Sequence, residues 1–169
     1  MEKILLSLVM LVPTMLFSNE FDTVDYVDLD KYMIPWYVQG HTPTFLDKGG
    51  VNQIESYKLN EKGEVETSFT FFTELGGKKR SFSPKATIYD KETNAHWKMQ
   101  FLWPFKHDFL VVRLAEDYSY TVISVPNKKM IWIMTDTPEI DGDLYEQIVE
   151  DLKDDGYPVE SLDRVKQEW

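Results

Sequence analysis

The residues of this chain that could carry covalent or metal chemistry are few and far apart. Its three histidines, His41, His96 and His107, fall in separate segments, and there is no cysteine. A protein metal site needs His, Cys or carboxylate ligands at short, regular spacings, and none of the histidines has such a neighbour. There is no Gly-x-Ser-x-Gly elbow, no phosphate-cradling glycine loop and no His-Glu-x-x-His helix. The carboxylates of "DGDLYE" (141–146) and "EDLKDDG" (150–156) lack the ladder of oxygens that a calcium loop requires, and read as the wet face of a helix. The sequence therefore predicts no catalytic residue, no metal and no cofactor. What it holds in quantity is apolar chemistry. Phe69, Phe71, Trp97, Met99, Phe101, Tyr120, Trp132 and Met134 stand on the apolar faces of short segments, and together they would wall a cavity able to take an acyl chain. Burying about 14 methylenes at ~0.8 kcal/mol each gives roughly 11 kcal/mol before the costs of association.

Strands must position these side chains. In "AHWKMQFLW" the alternation Ala95, Trp97, Met99, Phe101, Trp103 against His96, Lys98, Gln100, Leu102 puts the aromatic set on one face of a sheet and His96 on the other. "VETSFTFFTE" alternates similarly, and "SFSPKATIYD" carries Pro84, which marks an edge or bulge. Glycine-, asparagine- and aspartate-containing turns separate the segments. From Trp36 to Thr135 the pattern gives eight strands with short sequential connections, hence antiparallel neighbours. Leu144, Ile148 and Leu152, with Tyr145 and Val149 beside them, then mark an amphipathic helix. Asp141 or Asp143 caps its start, Gly156 stops it, and "SLDRVKQ" (161–167) reads as a short final strand. One helix cannot cover so aromatic a flat sheet. The expected fold is mainly β: an eight-stranded antiparallel up-and-down barrel, a calyx, with the helix packed outside.

A chain of 169 residues with net charge −11 suits one domain and no nucleic-acid partner. Lys3 followed by an apolar run over 4–17 reads as a signal peptide, residues 1–18, leaving 19–169 as a single exported domain, periplasmic or secreted. Without cysteine there is no site for a lipid-modified N-terminal thiol, so the chain is expected not to be lipid-anchored.

Four segments in order resemble the lipocalins, and within them the bacterial outer-membrane type related to apolipoprotein D. They are "DLDKYMIPWYVQG" (28–40), "MQFLWPFKHDFLVV" (99–112), "AEDYSYTVIS" (115–124) and "MIWIMTDTPEI" (130–140). The resemblance implies that Trp36 closes the blind end of the barrel, with Tyr37, Tyr118 and Asp136 as further motif positions. It departs from the family at Ile34, where glycine is usual, and at Asp136, where arginine usually stacks on the tryptophan. Arg164 is a candidate to pair with Asp136 and cover Trp36 instead. The resemblance also implies a protein that binds and stores or transports a fatty acid or lysophospholipid, with transient membrane contact. Lys78, Lys79 and Arg80 are candidate head-group contacts at the open end. Two alternatives stay open: a lipocalin-fold enzyme, marked by an inward carboxyl with a raised pKa, and a filled barrel whose loops bind a protein.

Overall fold

A computed structural model describes residues 21–102 and 104–169. The expected signal peptide and Trp103 lie outside the described residues. The strands are β1 (Pro35–His41), β2 (Val51–Leu59), β3 (Glu64–Phe72), β4 (Lys79–Phe82), β5 (Lys85–Ile88), β6 (His96–Leu102), β7 (Phe105–Leu114), β8 (Tyr120–Ser124), β9 (Ile131–Thr135) and β10 (Asp163–Arg164). Every pairing is antiparallel, and β9 returns to β1 from Tyr37↔Thr135 to His41↔Trp132, which closes the sheet.

The barrel has eight staves because β4 and β5 are two halves of one. β4 pairs with β3 opposite Phe69 to Phe72, and β5 pairs with it opposite Glu64 to Glu66. Pro84 sits in the break, where a residue without an N–H leaves no gap in a ladder. Only β5 continues to β6, so among the described residues the outer edge of β4 is unpaired beside the open end. Local chemistry sets the hairpins at the other end. Asn60 Oδ1 accepts from the backbone N–H of Lys62 and Glu64, and Gly63 takes φ 74° to complete that turn.

The chain before β1 seals this second end. Val24 N–H donates to Val111 O and Val27 N–H to Thr93 O, so the segment is stitched across the barrel bottom. Helix α1 (Leu29–Tyr32) follows, capped by Asp28, whose carboxylate accepts from Asp30 N–H at 3.0 Å. One turn is too short to show a hydrophobic period, and the strand-based reading passed over it.

Helix α2 (Gly142–Asp154) begins at Asp141, which accepts from Asp143 and Leu144 N–H, and Gly156 ends it at φ 79°. Its buried Ile148 and Leu152 join Leu110, Val112, Val122, Ile131 and Ile133 in a core outside the barrel wall. Gly40 makes this approach possible, since a Cβ there would fall on the Tyr145 hydroxyl. The expected final strand is shorter than its alternation suggested. Beyond Arg164 the tail bonds along the upper halves of β1 and β2: Val165 N–H donates to Gln39 O, and Gln167 Nε2 donates to Val38 O and Gln53 O.

Candidate functional site

The two ends of the barrel differ in how they are filled. At the closed end Trp36, Tyr32 and Trp97 are completely buried. Trp36 Nε1 donates to Tyr32 O at 3.0 Å, the two rings lie 5.1 Å apart, and the Tyr32 hydroxyl pairs with Thr121 Oγ1 at 3.1 Å. Trp97 stands edge-on to both Tyr32 and Tyr57, at 5.6 and 5.1 Å, and donates from Nε1 to Asn94 O. These aromatics form a solid floor.

Above the floor is a cavity of about 420 Å³, within the range of small-molecule sites. Phe69, Met99, Phe109, Trp132 and Met134 line its body, Glu55 and Tyr57 its lower part, and Phe45, Leu46, Phe82, Phe101 and Met130 its mouth. The interior is therefore not filled by side chains alone.

The structure thus brings Phe69, Met99, Phe101, Trp132 and Met134 together on the cavity wall and places the other three expected wall residues elsewhere. Trp97 points inward but lies in the floor. Phe71 also points inward, yet it is buried beneath the first mouth loop, stacked on Phe82 at 6.2 Å and pressed toward Gly50. Tyr120 is a correction of face: Thr121, opposite Met134, and Ile123, opposite Trp132, are the inward residues of β8, so Tyr120 packs outside with the α2 core.

The motif positions gather at the floor. Trp36 is sealed in it, and Tyr37 borders Trp169 edge-on at 6.0 Å. Tyr118 adopts φ 62°, and its hydroxyl accepts from Asp28 N–H at 2.8 Å. Ile34 packs against the inner core where a glycine is usual, the chain having turned through α1. Asp136 is exposed, with its backbone N–H on Ser119 O. The expected Arg164–Asp136 pairing does not form. Arg164 lies 3.7 Å over the Tyr145 ring on the α2 side, and Tyr32 covers Trp36. Lys78, Lys79 and Arg80 are exposed at the mouth, outside the cavity lining.

His96 does face outward, but it is not a surface residue. Phe21 stacks edge-on against it at 5.3 Å, and its Nε2 meets Asp108 Oδ1 at 2.5 Å, beside Lys98 on the same oxygen. Burial alone would raise the Asp108 pKa, but the bonds from Lys98 and His96 outweigh it and the pKa falls. His41 is buried below the first mouth loop, its Nδ1 3.6 Å from Asp47 Oδ2 and its Nε2 3.2 Å from Gln53 Nε2. Desolvation lowers its pKa, opposed by the charges of Asp47 and Asp163.

The sequence reading missed Glu55. Its exposed surface faces the cavity rather than bulk water, and burial pushes its carboxyl pKa up to about 8. Tyr57, two residues on and so on the same face of β2, has a buried hydroxyl with no hydrogen-bond partner among the described residues. The signal was present as a carboxylate two residues before an aromatic on one strand face. The bulge between Val51 and Ile54, where Asn52 takes φ 50°, hid which face was inward.

Known proteins agree with this architecture. A family model described as a lipocalin-like domain matches residues 27–167. The chain is 24% identical over 142 residues to the outer membrane lipoprotein Blc of Vibrio cholerae, covering 83% of each chain. It is 26% identical over 159 residues to temperature-induced lipocalin-1 of Arabidopsis thaliana, covering 89% of this chain and 84% of that one. Insecticyanin from the tobacco hornworm Manduca sexta superposes with a TM-score of 0.67 at 19% identity, over 90% of this chain and 87% of that one. With its closed eight-stave barrel, outer helix and matched motif segments, the chain belongs to the lipocalin family.

Proposed function

We propose that this lipocalin is exported to a bacterial envelope, where it binds one single-chain lipid, a fatty acid or lysophospholipid, and carries or stores it. The observation that carries the reading is the cavity itself: about 420 Å³, walled by Phe69, Met99, Phe109, Trp132 and Met134, and entered from one end. The apolar run at 4–17 and the outer-membrane lipoprotein relatives support export.

The mouth supports pickup at a membrane. Phe45 is 93% exposed, Phe105 66%, Phe101 59% and Leu46 53%, an apolar fringe that costs solubility unless it meets lipid. Lys48, Lys78, Lys79, Arg80, Lys106 and Lys129 are exposed in the mouth loops or at the strand ends that adjoin them, where, among the described residues, Glu74 is the one exposed carboxylate. A basic, apolar rim on an acidic protein complements an anionic lipid surface. Lys78, Lys79 and Arg80 would then meet the phosphate or carboxylate of the entering ligand.

Titrating dodecanoate or a lysophospholipid against tryptophan fluorescence tests the reading, because Trp132 lines the cavity. Saturable change near one-to-one, lost in Trp132→Phe, is expected; no change with any acyl ligand would contradict it. One observation favours a second reading, an enzyme acting on its bound ligand: Glu55 is an inward carboxyl with a raised pKa. Conversion of a bound lipid that Glu55→Gln abolishes would establish that reading in place of simple carriage.

A further inference from the structure

A plain acyl chain entering tail-first would bring its methyl end down onto Glu55 and the unpartnered Tyr57 hydroxyl, the worst chemical match in the cavity. Glu55 stands opposite Trp36 in the β1–β2 ladder, which places it at the depth of the floor. Tyr57 is one step closer to the blind end and packs against Tyr32 and Trp97. A buried hydroxyl left without a partner is uncommon. Here it adjoins the one carboxyl of the lower cavity.

The sign of the wall narrows what can satisfy the pair. Of the acidic lining residues, Asp108 turns its carboxylate outward to His96 and Lys98, and Asp47 spends its own on Thr44 beside His41. That leaves Glu55 as the carboxyl that faces the well, with no lysine or arginine in the lining among the described residues; the whole chain carries net charge −11. From about pH 8 upward, where Glu55 ionises, a ligand carboxylate at the floor would face a like charge with no cation in reach. An ammonium would supply the missing counter-charge, donating to Glu55 and to the Tyr57 oxygen.

We propose that Glu55 and Tyr57 form a polar subsite at the calyx floor that receives the ammonium group of a long-chain amine inserted head-first. The inference rests on the calyx being a site for chain-like ligands, as proposed above, but not on their being acyl lipids. It separates two functions by charge: the basic rim meets anionic surfaces, and the acidic well selects a cationic or neutral end.

Binding of the amine takes a proton from Glu55, whose pKa is raised. Affinity should therefore climb as pH rises from 6 to 8 and then level off until the amine itself titrates. The ionisable groups facing Glu55 are Tyr57 on its own strand and Tyr32 of α1, both raised by burial and neutral throughout this range. Asp47 and His107 line the cavity further up, and Asp108 borders it with its carboxylate turned outward to His96 and Lys98.

The test is displacement of a fluorescent fatty-acid probe from the intact protein by dodecylamine, dodecanol and dodecanoate, in the parent, Glu55→Gln and Tyr57→Phe. The proposal expects dodecylamine to displace at least tenfold more tightly than dodecanoate at pH 8. It expects Glu55→Gln to lose that preference and its pH dependence while still binding dodecanol, which shows the calyx intact. Tyr57→Phe should lose a smaller, several-fold share. Displacement by dodecanoate with dodecylamine no tighter than dodecanol, or an undiminished amine preference in Glu55→Gln, would overturn the inference and leave the acyl reading standing. If no chain binds and no probe is taken up, both fail together.

Discussion

The mouth and the floor of this barrel are built on opposite principles. At the floor every large side chain is packed and most polar atoms are paired: Trp36 on Tyr32 O, Tyr32 on Thr121, Trp97 on Asn94 O, Tyr118 on Asp28 N–H. The loops around it are acidic, with Asp22, Asp25, Asp30, Glu61, Glu92, Glu116 and Asp117 all exposed. At the mouth Phe45, Leu46, Phe101 and Phe105 are bare, the exposed charges are mainly lysine and arginine, and β4 has an edge unpaired among the described residues. Stability belongs to the sealed end and exchange with the surroundings to the open one, and substitutions at the two ends should separate these properties.

The largest effect should come from emptying the floor. Trp36→Ala removes a fully buried indole and is expected to cost about 3–5 kcal/mol, read as a lowered midpoint in urea unfolding. A cost below about 1 kcal/mol would mean that the floor does not hold the barrel together.

Glu55→Gln should act in the other direction, and only above acid pH. The folded-state pKa of Glu55 is raised from 4.5 to about 8, so the folded chain holds a proton that the unfolded chain releases. Its contribution to stability is therefore full below about pH 4.5, declines as pH rises, and is gone above about pH 8. The glutamine variant escapes this decline. It should match the parent near pH 4 and be more stable at pH 8, by up to about 3 kcal/mol, in unfolding measured across that range.

Tyr32→Phe deletes the buried bond to Thr121 and leaves that hydroxyl its bond to Arg113 O. A loss of about 1–2 kcal/mol is expected in the same assay. Least of all should be felt at the rim. Phe45→Ser combined with Lys79→Glu should change stability by no more than about 0.5 kcal/mol, yet weaken sedimentation with phosphatidylglycerol vesicles about tenfold. Unchanged vesicle binding would sever the mouth from any membrane role.

The same contrast explains what the sequence disclosed. Strand alternation is a local property, so the staves, the inward Trp97, Met99 and Trp132, and the stop at Gly156 could be read directly. Closure followed because one helix cannot cover an aromatic sheet. What escaped depends on contacts distant in sequence or on a shift of register. Phe21 buries His96 from 75 positions away, and no pattern around His96 announces it. Alternation alone puts Tyr120 inward, whereas the pairing of Thr121 with Met134 fixes the opposite face. Arg164 sits over Tyr145 of α2 rather than beside Asp136, a contact that no local pattern encodes. Glu55 stayed hidden behind the β2 bulge, although it is the feature that most distinguishes this cavity from a plain apolar one.

A calyx that is an open binding site rather than a packed core should carry a guest molecule when the protein is isolated. Native mass spectrometry of the full chain, expressed in an outer-membrane-bearing bacterium and processed as the host processes it, tests this most directly. One co-purifying lipid-sized adduct per chain is expected, removable by extraction and restored on adding a single-chain amphiphile. A protein that emerges bare and takes up no amphiphile at any charge would contradict it, and its function would then lie in the loops of the mouth.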